Sequence, residues 1–279
     1  MQPALDCGEN PSVALDPHLS AAFDFIREVE RAYACLVQAE DQDPASGQEP
    51  TLGGKLLYAG ALDGAGRALV IAGNIAGAAS LAASADPAAQ KQAVRDGAVD
   101  FLVTSLDEAL RILKNEIRKR EAVAVCVAVD PAAIEREMLA RGVAPDLLRP
   151  AVASIDSAGS ARTLVEVKSL KALTWLTWTV SSAPARWLPK LDLIALDCLD
   201  SNEGAARRWL RLAPRYLGRL ANDWRSLRCD REFAAAFIVQ VRERVARGEI
   251  AIAVEIHSNY LGTGEEYHFS PPESPVRAS

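Results

Sequence analysis

Apolar residues recur at three- or four-residue spacing between His18 and Gln38, where Phe23, Ile26, Val29 and Tyr33 mark one face of a helix. Glu40 to Pro50 is polar, contains Pro and Gly, and has no period, so it reads as a linker or loop. From Lys55 the pattern changes to short apolar runs alternating with helical stretches. Lys55–Ala59 (KLLYA) predicts a strand ending at Gly60, and Gly64–Ala79 an Ala-rich helix that tolerates Gly73 and Gly77. Ser80–Ala83 predicts a weak second strand, Pro87 opens a further helix, and Val99–Thr104 is a third strand. Ser105 and Glu108 then have capping-box spacing, and Leu106, Leu110, Leu113 and Ile117 form the apolar stripe of the clearest helix in the chain. Ala122–Val129 (AVAVCVAV) is almost wholly apolar, as a strand buried on both faces of a parallel sheet must be. Pro131 begins another helix, stopped at Gly142, and Asp146–Leu148 has the character of a short strand. This β-α-β-α order predicts an α/β fold: a Rossmann-like, mostly parallel sheet with helices on both faces.

Residues 150–162, rich in small side chains, suggest a boundary. Three parts are therefore expected: 1–50 as N-terminal helix and linker, 51–150 as the Rossmann-like domain, and 151–279 as a C-terminal α/β segment. In that last part lie apolar segments at 163–167 and 191–196 and a Trp-bearing stretch to Trp187. A helix follows over Asp230–Arg247, with Phe233, Phe237, Val241 and Val245 on one face, then a final strand at Ile250–Ile256. From Glu265 onward, with PPESP, the tail reads as frayed.

Composition narrows the function. A net charge of −6 gives no clustered positive footprint for nucleic acid. No apolar run approaches the length needed to span a bilayer, and no secretory signal opens the chain, so no membrane partner and a cytoplasmic location are expected. The five cysteines are scattered, odd in number and form no C-x-x-C, which argues against a disulfide framework or a metal site. A small-molecule ligand is the expected partner, and a homo-oligomer is compatible with the Trp-rich second half.

The chemistry with the clearest physical basis is the turn Gly60-Ala61-Leu62-Asp63-Gly64-Ala65-Gly66, placed between a strand and a helix. Glycines let such a turn take positive φ and let backbone N–H groups approach a phosphate. Asp86 comes twenty residues after Gly66, near where dinucleotide folds place an acid against ribose hydroxyls. Leu69 stands where G-x-G-x-x-G, begun at Gly64, needs its third glycine, so the common fingerprint is not met. A glycine turn that binds nothing is the alternative. The spacing also fits short-chain dehydrogenases, but no Tyr here is followed four residues later by Lys, which removes that reading.

Residues 52–149 resemble the central NAD-binding domain of urocanase (urocanate hydratase). The likeness runs in order through GGKLLYAGALDGAGRA, SLAASAD, KQAVRDGAVDFLVTSLDEAL and AVAVCVAVDPAAIEREMLARGVAPDLL. A looser likeness to the family's C-terminal segment returns in EGAARRWLRLAP and RERVARGEIAIAVEI. The resemblance implies a Rossmann-like domain holding NAD⁺ as an electrophile, so that water adds to urocanate in a hydratase-type lyase step of histidine breakdown. On this resemblance the cofactor-binding residues are Gly60, Asp63, Gly64, Ala65, Gly66, Arg67, Ser84 and Asp86. Asp63 and Arg67 replace glycines of the family's turn; Arg67 would pair with phosphate, whereas Asp63 would repel it. Ser84 falls where the family has an acid at the end of the second strand. Cys229 lies close to the family's active-site cysteine, but the residues normally following it are absent. The family's Arg-Asp-His run reads Ser258-Asn259-Tyr260, and its N-terminal substrate-binding region has no counterpart in residues 1–50.

Two readings stay open: a urocanase-like lyase, or a non-catalytic relative (a pseudoenzyme) that binds a ligand or partner. The candidate catalytic residues are Cys229 and His257. Cys229 sits between Arg228 and Arg231 at an expected helix start, surroundings that would favour thiolate. His257 follows the last strand, and His268 lies in the tail. Cys126, in an all-apolar strand, is expected in the core, and the five tryptophans are expected to act as core or interface anchors.

Overall fold

In the computed structural model the described residues are 17–39, 49–149, 162–163, 174–260 and 263–271. The alternation between 55 and 148 folds into a sheet whose strands are β1 (Leu56–Ala61), β2 (Ala79–Ala83), β3 (Phe101–Val103), β4 (Val123–Val127), β5 (Leu147–Leu148) and β6 (Arg162–Thr163). They lie in the order β3-β4-β2-β1-β5-β6, and every pairing is parallel. The expected Rossmann-like architecture is therefore present. β6 brings residues from beyond 150 into this sheet. The 163–167 segment otherwise lies outside the described residues.

Alternate side chains of the strands enter two cores. Leu56, Tyr58, Leu81, Val123, Val125 and Val127 face α4 (Leu106–Lys119) and α5 (Pro131–Ala140). Leu57, Ala59, Ala82, Ala124 and Cys126 face α2 (Gly64–Ala76), with Ala93 of α3 (Pro87–Arg95). The helix starts follow from side-chain caps. Ser105 accepts from the Glu108 N–H at 3.3 Å, and Asp86 and Asp130 accept from first-turn N–H groups of α3 and α5. Glu108 returns its carboxylate to the Thr104 N–H, one residue before the position that capping-box spacing predicts. The second helix stops at Ala76, short of the expected Ala79, because Gly77 takes a left-handed φ of 91° and ends it.

A second, antiparallel sheet of order β10-β9-β7-β8 forms from β7 (Thr174–Val180), β8 (Trp224–Cys229), β9 (Val254–Tyr260) and β10 (Thr263–Phe269). The 191–196 segment is part of α6 (Pro184–Cys198), which with α8 (Arg231–Ala246) covers one face; Trp178 packs on Phe237 there with ring centroids 4.9 Å apart. The other face meets α1 (Pro17–Gln38) and α7 (Gly204–Leu217): Phe23 packs on Trp175 and Trp224, and the Trp209 indole donates to the Ser226 carbonyl. α1 and α7 also pack on α2, and Arg208 donates to the Ile75 carbonyl at 2.6 Å. One continuous core thus runs from the parallel sheet through these helices to the antiparallel sheet.

Two sequence expectations are corrected at the C-terminal end. The strand expected over Ile250–Ile256 runs instead from Val254 to Tyr260, so that His257 lies within it, and it is not the last strand. Of the tail expected to fray from Glu265, the stretch to Phe269 instead belongs to β10, because Tyr267 and Phe269 alternate with polar residues and turn back against the core, while 272–279 lie outside the described residues. Among the described residues, no helix is long and apolar enough to cross a membrane.

Candidate functional site

β1 pairs with β2 on one side and β5 on the other, so the chain moves away from β1 in one direction and returns on its far side. The crevice outside the carboxyl ends of such strands is where open α/β sheets place ligands. The glycine turn lies there. Gly60 takes φ 74°, which L side chains rarely adopt. A β-carbon on Gly66 would lie 1.9 Å from the Ala61 carbonyl oxygen, so only glycine lets α2 start directly against the end of β1. Gly64 is different: a β-carbon there would meet nothing within 4 Å, and the residue is exposed. Gly64, Ala65 and Gly66 form the first turn of α2, whose N–H groups have no intrahelical acceptor.

One of those N–H groups is held by the chain itself. Asp63 caps α2, its Oδ1 accepting from the Gly66 N–H at 2.7 Å. The Arg149 guanidinium, just beyond β5, donates through Nη1 to the same carboxylate at 3.0 and 3.3 Å. The turn thus carries a carboxylate at its rim with a cation placed across from it.

The remaining expected cofactor residues sit as follows. Arg67 turns away from the turn: its guanidinium lies over the Phe25 ring of α1 at 4.5 Å and pairs with Asp96 at 3.3 Å. Ser84 follows β2 and is buried; its Oγ accepts from the Asp86 N–H at 3.2 Å, and its carbonyl accepts from Gln90. Asp86 is exposed and caps α3 through the Ala88 N–H at 2.8 Å. Gly60, Asp63, Gly64, Ala65 and Gly66 are therefore brought together with the end of β5, while Arg67 is committed elsewhere.

Cys229 and His257 belong to the antiparallel sheet. Cys229 pairs with Thr174 and His257 with Thr177, and cross-strand partners project to the same face while successive residues alternate. The two side chains therefore lie on opposite faces of one sheet and cannot act on a common atom. Cys229 is 4% exposed. Burial, with Asp230 and Glu203 adding to it, pushes its thiol well above the usual range, opposite to the thiolate expected from its arginine neighbours. Arg228 projects from the other face and pairs with Glu30 of α1 at 3.0 Å. His257 faces Glu266 at 3.4 Å, and His268 lies 3.7 Å from Glu255, both at the surface of the hairpin. Cys126 is buried in β4, its thiol pushed up to about 11 by desolvation. Among the described residues, no group of three or more His, Cys, Asp and Glu is placed to hold a metal ion.

The residue that sequence reasoning missed is Arg149. Its signal was faint: a lone Arg directly after the Leu147–Leu148 strand, 86 residues from the carboxylate it meets. Only the parallel pairing of β1 with β5 puts the two side by side.

Comparison with known families agrees with this geometry over the first half of the molecule. The match begins within α1, takes in the glycine turn and both of its flanking strands, and ends beyond β5. The family model that fits is that of the urocanase Rossmann-like domain, over residues 29–156, and this part of the chain is similar to that domain.

Proposed function

We propose that this protein binds NAD on the Gly60–Gly66 turn and does not carry urocanase chemistry at Cys229. The observation behind the first half is the open, glycine-lined start of α2 at the switch point of the parallel sheet, within the region that fits the urocanase domain. A pyrophosphate there would meet first-turn N–H groups and the positive end of the helix dipole, which together favour an anion. Ser84 and Asp86, at the end of β2, are the residues nearest in role to those that hold a ribose. When bound, NAD⁺ would supply an electrophilic nicotinamide ring.

The observation behind the second half is the placement of Cys229. Its thiol is buried, held protonated by its surroundings, and on the opposite sheet face from His257. This favours the non-catalytic reading over a hydratase acting on urocanate or a related imidazole. Mass spectrometry of the denatured protein, together with thermal shift on adding NAD, tests the cofactor. A bound dinucleotide or a rise in melting temperature is expected; neither appearing defeats it. NAD-loaded protein mixed with urocanate should leave its conjugated absorbance unchanged. Steady loss of that absorbance, abolished by Cys229→Ala, would restore the lyase reading.

A further inference from the structure

We infer that Arg149 is the phosphate-binding side chain of this site and that Asp63 holds it ready, as an internal counter-anion, until a dinucleotide arrives; this rests on the NAD reading above. Arg67, the arginine adjacent to the turn in sequence, is engaged by the Phe25 ring and Asp96. Arg149 instead reaches the turn from the opposite side of the crevice. Its Nη1 lies 3.0 Å from an Asp63 oxygen that is itself 2.7 Å from the Gly66 N–H. The guanidinium therefore faces the helix start across a carboxylate, and a phosphate seated on the amides of Gly64 and Ala65 would stand within its reach.

A guanidinium suits this task because its planar array of N–H donors matches two oxygens at once, of a carboxylate or of a phosphate. Asp63 engages that array through Nη1, at 3.0 and 3.3 Å from its two oxygens, and so holds the guanidinium beside the turn. Backbone contacts fix the base of the arginine: the Arg149 N–H approaches the Tyr58 carbonyl at 3.4 Å, and Asp146 anchors the start of β1 through the Leu56 N–H at 2.7 Å. The Asp63 charge acts against phosphate, so the same residue that orients Arg149 also sets the affinity. Arg149 is a binding residue in this scheme, and Asp63 a positioning one.

Calorimetric titration of the full chain with NAD and with ADP-ribose, which lacks the nicotinamide, separates the outcomes. Arg149→Gln should weaken both ligands by about tenfold or more, as expected for losing a charge-assisted hydrogen bond, while Arg149→Lys retains part of the affinity. Asp63→Asn keeps a side chain able to cap α2, so the fold persists, and should tighten both ligands several-fold while making binding fall more steeply with added salt, because the Arg149 charge is then no longer offset by a carboxylate. Thermal melts of each variant confirm that the protein is folded. If NAD binds the wild type and Arg149→Gln equally, the role of Arg149 is overturned while the cofactor reading stands. If neither the wild type nor Asp63→Asn takes up NAD, the cofactor reading itself fails.

Discussion

At the scale of single residues, the two helix-turn glycines make opposite demands. Gly66 abuts the Ala61 carbonyl, so Gly66→Ala must move α2 away from β1 and should cost about 3 kcal/mol, read from the urea midpoint. Gly64 faces open space, so Gly64→Ala should change stability by less than about 1 kcal/mol. Cys229 shows how sequence neighbours mislead. Arg228 adjoins it along the chain but projects from the other face of β8, and the groups that act on the thiol are Asp230 and Glu203. Native Cys229 should therefore resist iodoacetamide at pH 8, while the partly exposed Cys35 and Cys198 react. Rapid alkylation at Cys229, located by peptide mapping, would contradict its buried placement.

At the scale of elements, α1 is joined to the antiparallel sheet by aromatic packing at Phe23 and by one buried charge pair. Glu30 is 7% exposed, and burial outweighs Arg228 to push its carboxyl up to about 7 from 4.5. Since the folded pKa lies above the unfolded one, the native state holds a proton that the unfolded chain releases. Stability should thus fall as pH rises from about 4.5 to about 7 and level off above that. Glu30→Gln should flatten this slope, removing on the order of 1–3 kcal/mol of pH-dependent change in denaturant melts. A slope unaltered by the substitution would place the titration elsewhere.

The elements also show what was legible in the sequence. In the first half, strands such as β4 are buried on both faces and read as unbroken apolar runs, and Asp and Ser caps stand just before each helix, so pattern and structure coincide. In the second half, Pro189 and Pro214 lie inside α6 and α7, and a proline in a helical stretch reads as a break. β10 escaped notice because its alternation is carried by only Tyr267 and Phe269, next to a Pro-rich end. The glycine turn was visible as a motif. Its facing arginine was not, because spacing along one segment carries no information about which distant strand lies beside it.

At the scale of the whole molecule, α1 and α7 sit between the two sheets and share one core with both. All five tryptophans lie between 175 and 224, in the second half, so their fluorescence reports the antiparallel sheet, while far-UV circular dichroism reports the whole chain. The shared core predicts that both signals change together in urea, as in a single cooperative transition. Separated transitions would show the sheets to be independent units. The same layering sets the glycine turn at the carboxyl end of the parallel sheet, whereas Cys229 and His257 belong to the antiparallel one.

Calorimetric titration of NAD into wild-type protein and into Gly64→Val, whose side chain would fill the open approach to the α2 amides, tests where the dinucleotide sits. Saturable binding by the wild type and none by an equally stable Gly64→Val protein is the predicted result. Equal binding by both would contradict the placement of the dinucleotide on this turn.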